Sequence, residues 1–216
     1  MKKATNKKER TAFAVAVLKE RYPDAACSLD YAEAFHLLVA TRLSAQCTDA
    51  RVNLVTPALF AAYPDARAMA AADVKDVERL IASCGLFHTK ARDIVAMSGQ
   101  LVERYGGNVP GTMEELLSLQ GVGRKTANLI LGDVFGQPAV VTDTHFIRIM
   151  NRLGLTKTKD PRGVEKDLLP LIPPEESASF CHRVVMFGRE VCTARSPKCG
   201  GCPLSAVCPS AAGNGK

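Results

Sequence analysis

Four thiols crowd one short stretch near the C-terminal end, Cys192, Cys199, Cys202 and Cys208, with six, two and five residues between them. The segment is rich in Gly and Pro, too compact for a disulfide framework and suited to wrapping one metal centre. By kind, four thiolates serve structural zinc as well as an iron-sulfur cluster, so the residues alone leave both open. Upstream lies a second feature, the glycine hairpin Leu119-Gln-Gly-Val-Gly-Arg-Lys-Thr-Ala127. Gly121 and Gly123 let backbone amides come close to a ligand. The helix start behind them adds N–H groups and the positive end of a dipole, which together suit a phosphate oxygen. Such a contact positions a duplex without reading its sequence. With no ligand, the same residues make only a tight helix-helix turn.

Composition narrows what these features can serve. Lys and Arg number 28 against 22 Asp and Glu, giving +6 and a pI near 8.9, a balance that fits a polyanionic partner without requiring one. A length of 216 residues with 47% apolar content supports one large domain or two small ones. The basic start Met1 to Arg10 and the apolar run Ala12 to Leu18 imitate a secretory leader. The run holds only seven residues and meets Lys19, Glu20 and Arg21 at once, so neither export nor a membrane span is expected. A cytosolic setting follows, where thiols stay reduced and metal ligation prevails over disulfides. The remaining cysteines, Cys27, Cys47, Cys84 and Cys181, are scattered and read as free buried thiols.

The elements that must position these residues are helices. Val74, Val77, Ile81 and Cys84 recur at helical spacing, as do Ala91, Ile94, Val95, Leu101, Val102 and Tyr105, and Phe180, Val184, Phe187 and Val191; no pair of alternating strands stands out. Asp73, Thr89 and Thr112 stand where N-caps belong, and Thr112 with Glu115 predicts a capping box. Tyr31 to Leu43 is apolar on most sides and predicts a core helix, whereas Pro57 conflicts with the helical pattern of Val52 to Phe60. The hairpin itself reads as a helix over Thr112 to Leu119, a turn, and a second helix from Arg124 whose stripe is Ala127, Ile130, Leu131 and Val134 before Gly136. Asp143, ahead of Phe146, Ile147, Met150 and Leu153, is placed to cap another helix. Asp49 reads equally as a cap and as a functional residue.

Taken together, Gln120-Gly-Val-Gly-Arg-Lys-Thr-Ala127, then Thr142-Asp-Thr-His145 with Asp143 eighteen residues after Lys125, then the cysteine loop, resembles the endonuclease III family of DNA glycosylases. Leu43-Ser-Ala-Gln-Cys-Thr-Asp49 and Gly85-Leu86 match family segments too, so the likeness runs from about Tyr31 to Cys208. Gln120 departs from the proline usual before the hairpin, and Thr142 from the apolar residue usual before the aspartate. The resemblance implies a bifunctional DNA glycosylase and abasic-site lyase of base excision repair, acting on oxidised pyrimidines in damaged double-stranded DNA. It also implies a 4Fe-4S cluster, rather than zinc, on the four cysteines, in a structural role.

Residue roles implied by the resemblance can be weighed against their plainer readings. Lys125 would attack C1′ of the damaged nucleotide and form a Schiff base. At the first turn of a helix and under DNA, the dipole and desolvation favour its neutral, nucleophilic form, while a carboxylate such as Asp143 nearby would oppose them by favouring the charged form; an isolated lysine there would simply contact phosphate. Asp143 would stabilise developing positive charge near C1′ or assist Lys125, while also capping its helix at a value of about 1 kcal/mol. Gln46, Leu86 and His145 would fill the space vacated by an everted nucleotide, offsetting part of the unstacking cost; singly they read as a helix end, loop packing and a first-turn residue. Gly121, Val122, Gly123 and Arg124 would hold phosphate. Arg195 and Lys198, between the cluster ligands, would add positive charge to that contact or form an ordinary solvated face.

The implied fold is all-α and two-lobed. A six-helix barrel domain carrying the helix-hairpin-helix would span 27–137, and residues 1–26 with 138–216 would form the iron-sulfur cluster domain, 210–216 being disordered. DNA would lie across the cleft, with Lys125 from one lobe and Asp143 from the other. A monomer without membrane attachment is expected. Two alternatives remain: a non-catalytic DNA-binding iron-sulfur protein, and an adenine-mismatch glycosylase, which lacks the lysine at this position and usually carries a further C-terminal domain.

Overall fold

Apolar residues at helical spacing become helices throughout. A computed structural model describes residues 6–212, and among these it contains eleven α-helices, three short 3₁₀ turns and no strand. The chain divides into two compact units, one of residues 27–135 and one of residues 1–26 with 136–216.

The unit of residues 27–135 holds α2 (Ala34–Ser44), α3 (Asp49–Ala62), α4 (Ala66–Ala70), α5 (Val74–Leu80), α6 (Phe87–Tyr105), α7 (Met113–Leu117) and α8 (Arg124–Asp133). α2 is its centre. Phe35, Leu37, Leu38, Val39, Ala40 and Leu43 are all buried, as a helix apolar on most sides requires, and α3, α6 and α8 pack around it. α3 runs unbroken through Pro57. The proline deprives the Asn53 carbonyl of its usual donor, but Pro57 lies on the exposed side of the helix, open to solvent. Asp73 and Thr112 cap their helices as expected. At the second of these, the Glu115 N–H donates to Thr112 Oγ1 at 3.3 Å, while the Thr112 hydroxyl, rather than its backbone N–H, donates to the Glu115 carboxylate at 2.6 Å.

Two expected caps are corrected. Thr89 is not an N-cap, because α6 already begins at Phe87, behind a left-handed Leu86 with φ of 60°. The buried stripe of Lys90, Ala91, Ile94, Met97 and Leu101 draws the helix back past Thr89, so packing overrides the local signal. Asp49 is the first residue of α3, and the cap is Thr48, whose side chain accepts from the Arg51 N–H; Asp49 instead accepts from the Ser28 hydroxyl at 2.5 Å.

The hairpin between α7 and α8 is anchored from beneath. Gly121 adopts φ of 73°, and a Cβ there would come within 2.9 Å of Arg42 Nε, so shape and backbone conformation both demand glycine. Arg42 of α2 donates to Asp93 of α6 through Nε at 2.9 Å and through Nη2, and Gln120 Nε2 donates to the other Asp93 oxygen at 2.9 Å. The Gln120 backbone N–H donates to Gln100 Oε1 at 2.7 Å, a bond that proline could not make. Glutamine thus ties down by two hydrogen bonds what a proline would stiffen by its ring.

The other unit comprises α1 (Lys7–Arg21), α9 (Thr144–Arg152), α10 (Pro161–Leu168) and α11 (Ser177–Glu190), followed by the cysteine loop. Asn6 and Glu9 form a full capping box at the start of α1. Ala14 and Leu18 of α1, Phe146, Ile149 and Met150 of α9 and Phe180, Val184 and Phe187 of α11 make one core, in which Phe146 and Phe180 meet edge to face at 6.1 Å. Cys181 and Cys84 are buried as expected, whereas Cys27 and Cys47 are only partly so. Ser210 to Ala212 form a 3₁₀ turn with Pro209, pinned by the Ser210 hydroxyl donating to the Arg152 carbonyl at 2.9 Å, so the expected disorder does not begin at 210; 213–216 lie outside the described residues. Among the described residues, no helix is long and apolar enough to cross a membrane.

Burial pushes the Asp93 carboxyl up, but the bonds from Gln120 and Arg42 outweigh it and hold the group below the usual carboxylate range. Its stabilising contribution is therefore complete above the unfolded value near about 4 and disappears as pH falls through the lower folded value. The stability difference between the wild-type protein and Asp93→Asn, measured by urea unfolding, is expected to shrink as pH is lowered from about 6 to about 3. A difference constant over that range would show that the Asp93 charge does not hold the hairpin.

Candidate nucleic-acid interface and metal centre

Behind the hairpin, Gly123 caps α8 in an extended conformation, and a Cβ built on it would meet nothing within 4 Å. The cap is thus open to an approaching group, at the positive end of a ten-residue helix. Lys125 is the second residue of α8 and is exposed, Arg124 is partly buried, and Val122 points into the core with its N–H donating to the Leu119 carbonyl at 3.2 Å. The hairpin residues and Lys125 therefore share one helix start.

Gln46 and Leu86 are the only non-glycine residues with positive φ among the described residues, at 54° and 60°. Both are exposed, Leu86 to 59%, so two side chains are held outward at a conformational cost. Their loops touch: a Cβ on Gly85 would stand 3.5 Å from the Gln46 carbonyl oxygen.

In the other unit, Asp143 caps α9, its carboxylate accepting from the Phe146 N–H at 2.7 Å. Thr142 before it is buried to 8% exposure, which explains how a small residue fits where an apolar one was expected. His145, in the first turn, lies against α11 where Gly188 leaves room; a Cβ at Gly188 would be 2.6 Å from His145 Nδ1. Burial and the nearby Arg148 and Arg189 lower the His145 pKa against the opposing pull of Asp143.

The four cysteines do converge. Cys192, Cys199, Cys202 and Cys208 line one cavity of about 510 Å³, together with Arg195 and Lys198 at its edge and Ile149, Phe187 and Leu204 at its floor. Burial pushes the Cys202 thiol up, and the charges of Cys192, Cys208 and Cys199 add to this. Four thiolates held this way repel one another unless a cationic centre sits among them. The donor set therefore fits an iron-sulfur cluster. When bound, it would cross-link the four ligand positions of the loop to one another.

Two residues of this centre escaped the sequence reading. Arg152 donates through Nη1 to Cys192 Sγ at 3.2 Å and the Thr193 carbonyl at 2.7 Å, and through Nη2 to the Ala194 carbonyl at 2.8 Å. Arg148, one turn earlier, donates through Nη2 to the Cys192 carbonyl at 3.0 Å and lies 3.2 Å from His145 Nδ1. Spaced four apart, these arginines share the face of α9 turned to the loop. That spacing after Asp143 was the available signal.

A family model described as "HhH-GPD superfamily base excision DNA repair protein" matches residues 39–174, and one for the "Iron-sulfur binding domain of endonuclease III" matches 192–208. Endonuclease III of Synechocystis sp. is 51% identical over 212 residues, covering 98% of this chain and 97% of that protein. The chain belongs to the endonuclease III family. Endonuclease III of Bacillus subtilis is 42% identical, with coverage of 91% and 90%. Among solved structures, a trapped endonuclease III–DNA covalent intermediate and a non-covalent endonuclease III–DNA complex each superpose with a TM-score of 0.90 at 40% identity, covering 97% of this chain and 99% and 98% of theirs. The protein is accordingly a DNA glycosylase and abasic-site lyase of base excision repair with the all-α helix-hairpin-helix fold, and its cysteine loop holds a 4Fe-4S cluster rather than zinc.

Arg152→Ala removes four carbonyl and thiol bonds from the loop while leaving every cysteine in place. The variant is expected to lose visible cluster absorption to an iron chelator several-fold faster than the wild type; equal rates would show that the arginine does not secure the loop.

Proposed function

We propose that this endonuclease III family member removes oxidised pyrimidines from damaged duplex DNA and nicks the strand 3′ to the abasic site, with Lys125 as nucleophile and Asp143 as the assisting carboxylate. The observation that carries this reading is the exposed Lys125 in the first turn of α8, directly behind the open Gly123 cap. Backbone groups of Gly121, Val122 and Gly123, with Arg124, bind a phosphate and bring the strand to the amine. Nζ forms a bond to C1′, the bond from C1′ to the base breaks, and the base leaves with a proton. Opening of the sugar ring gives the Schiff base; loss of a C2′ proton then expels the 3′ phosphate. Asp143, kept in place by its capping bond to Phe146, offers negative charge to the oxocarbenium that develops as the base departs.

Gln46 and Leu86, held outward at positive φ, occupy the space an everted nucleotide leaves, and His145 contributes to the same task. Arg195 and Lys198 at the rim of the cluster cavity attract phosphate. The protein acts as a monomer in the cytoplasm, where reducing conditions keep its cysteines available to iron. A covalent DNA intermediate trapped with a 40% identical endonuclease III supports the nucleophile reading.

Borohydride reduction during reaction with a duplex bearing an oxidised pyrimidine tests it. Lys125→Ala is expected to abolish the trapped adduct and the nick while retaining duplex binding, and undiminished trapping would overturn the assignment. Asp143→Asn preserves a capping side chain and is expected to slow single-turnover base release by roughly a hundredfold. An unchanged rate would remove Asp143 from the mechanism.

A further inference from the structure

Lys90 of α6 is wholly buried, although no step above employs it. Its Nζ donates to the Leu43 carbonyl at 2.7 Å, which brings the amine to the C-terminal end of α2, beside the segment carrying Gln46 and Cys47. Burial lowers its pKa, and the groups that raise it are Cys47 and Cys84. Cys84 is wholly buried too, and burial followed by the charge and hydrogen bonding of Cys47 pushes its thiol up to about 11, with Lys90 pulling it down. Cys47 is half-buried. The two cysteines sit on touching backbones, since Gly85 packs on the Gln46 carbonyl. An interacting thiol pair on adjacent loops, beside a buried ammonium, is therefore built into this unit.

We propose that Cys47 and Cys84 are a peroxide-oxidisable pair that closes into a disulfide joining the loop of Gln46 to the loop of Leu86. Cys47, the more accessible of the two, reacts first. Its sulfur bonds to one oxygen of hydrogen peroxide, the O–O bond breaks, and hydroxide leaves to become water with the Cys47 proton. The Cys84 sulfur then attacks the sulfenic sulfur, the S–O bond breaks, and a second water departs with the Cys84 proton. Two thiols and one peroxide give one disulfide and two waters. The bond would fix the spacing of the two loops whose left-handed residues face outward, so that Gln46 and Leu86 could no longer move independently. This consequence rests on their proposed contact with DNA; the bond itself does not.

The test uses the full-length protein with its cluster loaded, treated with hydrogen peroxide at a level that leaves the visible absorption unchanged, then alkylated and digested. The expected product is a peptide pair joining Cys47 to Cys84, lighter by two hydrogen atoms and lost on reduction with dithiothreitol, and in Cys84→Ala the Cys47 thiol should advance to the sulfinic acid. Both cysteines recovered as alkylated thiols, or Cys47 over-oxidised in the wild type with Cys84 still free, would overturn the proposal. Single-turnover base release on a lesion duplex by the bridged protein should fall at least threefold and return on reduction. If the bridge forms but that rate is unchanged, the thiol chemistry stands and the assignment of Gln46 and Leu86 to the DNA fails.

Discussion

One carboxylate organises the DNA-facing end of the residues 27–135 unit. Asp93, on the long helix α6, takes both the Arg42 guanidinium from α2 and the Gln120 amide from the hairpin. Removing a mostly buried charge from water is costly, and it is offset here only because every partner is present at once. Gly121 can sit close above Arg42 because it has no side chain, and Gly123 can then open α8 toward solvent. The open start of α8 and the exposure of Lys125 both follow from that arrangement. Gln120 reaches rigidity by a different route from the proline usual in relatives, exchanging a constrained ring for a backbone bond to Gln100 and a side-chain bond to Asp93.

In the other unit the organising element is α9. It begins with the Asp143 carboxylate and continues into Arg148 and Arg152, which grip the first cluster ligand and the backbone after it. The residue assigned to catalysis and the arginines that contact the cysteine loop therefore lie on one short helix. A cross-link at the cysteine loop holds the arginines, the arginines hold the helix, and the helix sets where its capping carboxylate stands. His145 lies within the same contacts, beside Arg148 and against Gly188.

Much of this was legible in the sequence, because the signals were local. The core helix α2, the caps at Asp73, Thr112 and Asp143, and the glycine turn are each set by a few neighbouring residues, and the cysteine spacing with the hairpin strings sufficed for the family. What escaped depends on distant partners. Thr89 carries a capping side chain, yet the helix starts earlier because the stripe beginning at Lys90 has to be buried. Pro57 conflicts with a helix only until its exposed position is known. The outward strain at Gln46 and Leu86 is a backbone property that neither residue type announces. The Asp93 network and the Arg152 contacts join residues 27 to 51 positions apart, and a single sequence gives no sign of such pairings.

The unit that holds the cysteine loop is assembled from both ends of the chain, residues 1–26 and 136–216. During synthesis α1 leaves the ribosome first, with Ala14, Val15 and Leu18 destined for a core whose other walls, α9 and α11, do not yet exist. The entire stretch 27–135 must be made in between, and at ordinary elongation rates that delay is on the order of ten seconds. For that interval the nascent helix α1 presents an uncovered apolar stripe to solvent.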